Sequence, residues 1–110
     1  MINARLVFEK GLLKSCRLKG HAGAGPKGGD IVCAAASVLS QAAFKVLSAR
    51  KGFELKAAAP ERGEFCMDIS CEENQENRVF LDGVGAFLKE GLLSISGEFP
   101  EFCQVIIEER

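Results

Sequence analysis

Apolar and polar positions alternate along residues 2–9, INARLVFE, and along residues 12–19, LLKSCRLK, the period of a strand with one buried face. Lys10-Gly11 between them is a two-residue link of the kind that closes antiparallel hairpins, so the chain opens with a hairpin. From residue 31 the period lengthens: Ile31, Ala35, Val38, Leu39, Ala42 and Val46 recur at spacings of three and four with alanine between them, predicting a helix over roughly 31–50. Asp30 suits its N-cap, because a carboxylate there accepts from free first-turn amides, and Gly52 suits its end. Residues 53–59 and 64–72, separated by Pro60-Glu61-Arg62-Gly63, read as a second hairpin whose later strand turns Phe65, Met67, Ile69 and Cys71 to the core. After the polar stretch 72–77, the residues Phe80, Val84, Phe87, Leu88, Leu92 and Ile95 predict a second amphipathic helix. Gly83, Gly85 and Gly91 weaken that helix while permitting close packing. Residues 102–109, β-branched at Val105, Ile106 and Ile107, follow Pro100 and predict a last strand. The order ββαββαβ implies an α+β fold, two helices packed on an antiparallel β-sheet, in a single domain spanning 1–110.

Length and composition change this picture little. With 110 residues, 47% of them hydrophobic, the chain builds one core and one principal site. A net charge of −1 supplies no cationic excess for a phosphate backbone, and the absence of Trp and Tyr removes common stacking partners for bases, so no direct nucleic-acid partner is expected. There is no uninterrupted run of 18 apolar residues and no signal-peptide pattern at MINARLVFEK, so a cytoplasmic protein without a membrane partner is expected.

The cysteines bear on chemistry. Five of them, Cys16, Cys33, Cys66, Cys71 and Cys103, are an odd number in a reducing compartment and fit no disulfide framework. Cys66 and Cys71 are five apart and point to opposite faces of a strand. Cys16 and Cys103 lack a neighbouring His or second Cys, so neither metal nor other cofactor is expected. Cys33 would be third in a helix starting at residue 31, where free amides and the positive end of the macrodipole favour a nucleophilic thiolate. His21, the one histidine, precedes a loop, residues 20–29, with five glycines and a proline, from which an imidazole can fold back over the helix start. Such a pair performs acyl transfer: the thiolate attacks a carbonyl and the imidazole protonates the leaving amine, with amides at the helix start as oxyanion donors. From spacing alone, a cysteine in an apolar helix is usually a buried small residue and a lone histidine is often incidental. A phosphate-binding loop is a poor reading, since GAGPKGGD lacks the Gly-Lys-Ser/Thr ending.

Residues 20–37, GHAGAGPKGGDIVCAAAS, resemble the signature of the ribosomal-processing cysteine proteases: Gly-His-Ala, a short glycine-containing loop, then Asp-Ile-Val-Cys-Ala and a nearby Ser. The match runs through Gly20, His21, Ala22, Gly28 or Gly29, Asp30, Ile31, Val32, Cys33, Ala34 and Ser37. The resemblance implies a homodimeric protease that removes an N-terminal extension from large-subunit ribosomal protein number twenty-seven, cutting after an aromatic residue, with His21 and Cys33 as catalytic pair. Asp30 and Ser37 would support the pair. Asp30 fits an N-cap better than a third catalytic member, and the Ser37 hydroxyl, one turn beyond Cys33, either touches the thiol or bonds the helix backbone. Gly20, Ala22, Gly23, Gly25, Gly28 and Gly29 would form a substrate loop, able to order over an extended peptide. That loop lacks the aromatic and acidic residues that often occupy it in relatives. Two rivals use the same residues differently: a non-catalytic ribosome-associated peptide-binding or assembly module, and an amidase acting on a small substrate.

Overall fold

A computed structural model describes residues 1–20, 27–59 and 64–110, the side chains of the first helix from residue 31 onward. The order is β1 (Ile2–Glu9), β2 (Leu12–Lys19), α1 (Lys27–Ser48), β3 (Phe53–Ala58), β4 (Glu64–Cys71), α2 (Gln75–Glu98) and β5 (Cys103–Glu109), the expected ββαββαβ. One sheet carries the strands in the order β3-β4-β2-β1-β5. Its pairings are antiparallel between β1 and β2, β2 and β4, and β3 and β4. At the edge β5 runs parallel to β1, because α2 returns the chain to the starting end of the sheet. Lys10 and Gly11 have φ of 52° and 82°, the left-handed pair that a two-residue hairpin turn requires.

Both helices cover one face. Ala4, Leu6 and Phe8 of β1, Cys16 and Leu18 of β2, and Met67 and Ile69 of β4 meet Ala36, Ala43 and Leu47 of α1 and Leu81, Leu88 and Leu92 of α2 in one buried cluster. The opposite face is polar and solvated, with Arg17 and Asp68 paired across β2 and β4 at 3.7 Å.

The first helix departs from expectation in start and orientation. It begins at Lys27, so Asp30 lies within its first turn and does not cap it. Pro26 immediately precedes Lys27 in the sequence, and proline suits a first helical turn, a stronger initiation signal than the Asp30 carboxylate. The helix ends at Ser48, and Gly52, with φ of 89°, serves the turn into β3. Its buried face is Val32, Ala36, Ser40, Ala43 and Leu47, while Ile31, Val38 and Val46 are 60%, 66% and 48% exposed. An Ala/Val/Leu helix is apolar almost all round, so periodicity does not choose its face. The small residues Ala36, Ser40 and Ala43 do, by allowing close approach to the sheet. The window Ile31–Ser48 is long and apolar enough to cross a membrane by length and composition alone, but these five positions identify a core helix of this domain. In α2, Asn74 caps the first turn by accepting from the Asn77 amide at 2.8 Å, placing the helix start inside the polar stretch.

Candidate active site

Cys33 is half-buried on α1, with Val32 beneath it packed between Ile2 of β1 and Cys103 of β5. That small second core anchors the early part of α1 over the β1–β5 side of the sheet, and the helix runs on to contact β3. The ends of β2 and β4 are left open beside it. There a groove of about 210 Å³ forms, with Cys33, Ser37 and Gln41 along one wall, Ile2, Leu18, Ala36 and Phe65 as apolar lining, and Gly20, Ala59 and Glu64 completing it. Cys33, Ser37 and Gln41 are successive fourth residues of one helix, so they form a single row along about 12 Å of axis. An extended peptide advances about 3.3 Å per residue, so the row is three to four substrate residues long.

Of the residues singled out from sequence, the structure brings Cys33, Ser37 and Gly20 together at this groove. Gly28, Gly29 and Asp30 lie in the first turn of α1. His21, Ala22, Gly23 and Gly25 lie outside the described residues. The electrostatic setting expected for Cys33 is corrected: it is seventh in the helix and not third. The free amides of a helix are its first four, so the Cys33 amide belongs to the helical ladder and is not a spare oxyanion donor, and the macrodipole is weak that far from the end.

Gln41, Glu64, Phe65, Leu18 and Ala59 were not singled out from sequence. Gln41 was findable, being two turns beyond Cys33 on the same face. The others come from strands whose order no local pattern carries.

Gly20 leaves β2 with φ of +110°, and a Cβ there would overlap the Met1 carbonyl oxygen. Backbone conformation and crowding both demand glycine at the residue bonded to His21.

The remaining thiols are set apart by environment. Cys16 is fully buried, its pKa pushed up to about 11 by desolvation and only partly offset by the Ser40 hydroxyl, 4.0 Å from its sulfur. Burial also raises Cys103 above the ordinary thiol range. Cys66 donates to the Ala58 carbonyl at 3.6 Å on the outer sheet face, while Cys71 packs on the core, the opposite facing that strand alternation expects. Among the described residues no cluster of His, Cys, Asp and Glu has the arrangement of a metal site.

A family model for the cysteine protease Prp matches residues 1–104. Among solved structures, SMU.848 from Streptococcus mutans is 27% identical with a TM-score of 0.82, the match covering 100% of this chain and 96% of that one. The essential ribosomal processing protease Prp from S. aureus, in complex with a substrate peptide, is 18% identical with a TM-score of 0.79 over 98% of this chain and 100% of that one. The same protease with a covalently linked product peptide is 21% identical over the same shares, again with a TM-score of 0.79. No curated protein matches the chain significantly by sequence. A family model matching nearly the whole chain, on a fold that opens a peptide-sized groove at Cys33, makes this chain a member of the Prp family and a cysteine protease.

Proposed function

We propose that this protease removes a short N-terminal extension from large-subunit ribosomal protein number twenty-seven, in the cytoplasm, with Cys33 as nucleophile and His21 as general acid and base. The observation that carries the assignment is selective: of the five thiols, Cys33 alone lines the groove, whereas Cys16 and Cys103 are buried. His21 is bonded to Gly20, which lines the same groove. The S. aureus relative holding substrate and product peptides supports an extended peptide as the occupant. Membership of a protease family sets aside the non-catalytic module.

The thiolate attacks the scissile carbonyl, the imidazolium of His21 protonates the departing amine, and water, deprotonated by the now neutral imidazole, hydrolyses the thioester left on Cys33. Because Cys33 is one and a half turns inside α1, the helix dipole contributes little and thiolate formation falls mainly on His21. Asp30 lies in the first helical turn, and Ser37 lines the groove one turn beyond the nucleophile.

The working unit is a homodimer. The outward stripe of Val38, Val46 and Phe87, the last 72% exposed, flanks an apolar groove of about 230 Å³ between α1 and α2. A neutral surface with a projecting ring beside a cleft suits self-association, since a twofold interface must complement itself.

The test is incubation with the extended ribosomal protein and mass spectrometry of its new N-terminus. Single-site trimming is expected for the wild-type protein and for neither Cys33→Ala nor His21→Ala. Trimming of other proteins with the extension left intact would reassign the substrate.

A further inference from the structure

An extended peptide laid along the groove beside Cys33 brings one N–H and one C=O per residue, and these lose water over the apolar lining of Ile2, Leu18, Ala36 and Phe65, whose side chains offer no hydrogen bond in return. The carboxylate of Glu64 is turned away, paired with Lys19 at 4.0 Å on the outer face of the sheet. The hydrogen-bonding side chains on the α1 wall, beyond Cys33, are therefore Ser37 and Gln41. Gln41 stands two turns past Cys33, and each step of four residues turns about 40° around the helix, which puts it at the rim of the wall above Ser37. It is exposed, and among the described residues its side chain has no hydrogen-bond or ion-pair partner. A glutamine carboxamide carries the same donor and acceptor that a backbone residue presents, so it can bond both polar groups of one extended residue at once.

We infer that Gln41 is a substrate-positioning residue: its carboxamide accepts from the N–H and donates to the C=O of one substrate residue about three to four places from the scissile bond, fixing the register in which the peptide passes Cys33. The inference rests on the proposed function of this groove. The place follows from the roughly 12 Å of helix axis between Cys33 and Gln41, set against about 3.3 Å per extended residue. A carboxamide bonded to backbone reads no side chain, so the contact tolerates any sequence at that place except proline, which has no N–H. It serves every substrate long enough to reach the rim, and a peptide that stops short of Gln41 loses it.

The experiment uses one parent peptide covering the extension and its cleavage site. The backbone N–H of each of the four residues on either side of the bond is replaced in turn by an ester oxygen, the scissile amide itself being kept. kcat/KM is measured for the wild-type protein and for Gln41→Leu and Gln41→Glu, with thermal unfolding as the check on folding. Leucine is a helix former of similar size without polar ends, and glutamate keeps an acceptor for the substrate N–H. At one position, the third or fourth from the bond, the ester should slow the wild-type protein about fivefold, the size of one neutral hydrogen bond. That penalty should vanish in Gln41→Leu, which should cleave the parent peptide about fivefold more slowly, and it should persist in Gln41→Glu. Because each penalty is a ratio within one protein, partial loss of folded variant does not alter it. Equal ester penalties in the wild-type protein and Gln41→Leu at every position would overturn the assignment of Gln41 while leaving the protease reading intact. Failure of the wild-type protein to cleave the parent peptide, or cleavage that survives Cys33→Ala, would overturn the reading of the groove and this inference with it.

Discussion

Gly20 hands the chain from β2 to His21 through a left-handed φ, with the Met1 carbonyl where a side chain would begin. Gly20→Ala should therefore cost at least about 2 kcal/mol in urea denaturation, and kcat should fall with it, because relief comes only from moving the N-terminal strand or the residue that precedes His21. Cys16 gives a second prediction. Its folded pKa, about 11, lies above the 9.0 of an unfolded thiol, so stability is full below pH 9 and declines as pH rises towards 11. The loss should reach about 3 kcal/mol from this group, and Cys16→Ala should flatten that decline in thermal unfolding scans across pH 8–11. At this scale much of the site was legible: His21 and Cys33 stand in a distinctive string of residues. Glu64 and Phe65 were not, because they reach the groove only through the pairing of β2 with β4.

Elements were readable where a single pattern governed them. β1 and β2 have the expected limits because alternation and the Lys10-Gly11 turn agree. The start of α1 was misjudged because two initiation signals compete within five residues and the glycines between them carry no periodicity. The start of α2 was hidden because its first turn is polar, and the hub of that turn is Asn77. Its amide side chain donates to the Glu72 carbonyl at 3.0 Å and accepts from Arg50 Nε at 3.2 Å, tying α2 to the end of β4 and to the turn after α1. Arg50 also lies over the Phe80 ring at 4.4 Å. Asn77→Ala should destabilise by about 2 kcal/mol, since truncating this buried side chain removes its hydrogen bonds to both the Glu72 carbonyl and Arg50, and the shift in denaturant midpoint measures it.

At the scale of the whole molecule, one sheet face carries helices and the other water, and the helix layer itself keeps an apolar outer stripe. Periodicity in α1 pointed to Ile31, Val38 and Val46, which are exposed, so the pattern contained a second surface as well as a core. Phe87→Asp should convert the proposed homodimer to monomer in sedimentation velocity with the fold retained, because a charge there is buried only upon association. The central claim is that Cys33 is the nucleophile, and the most direct test is alkylation of the folded protein by iodoacetamide at neutral pH. Peptide mass spectrometry follows each cysteine while protease activity is read in parallel. The account predicts that activity falls in step with Cys33 labelling while Cys16 and Cys103 stay unmodified. Full activity with Cys33 completely alkylated would contradict it.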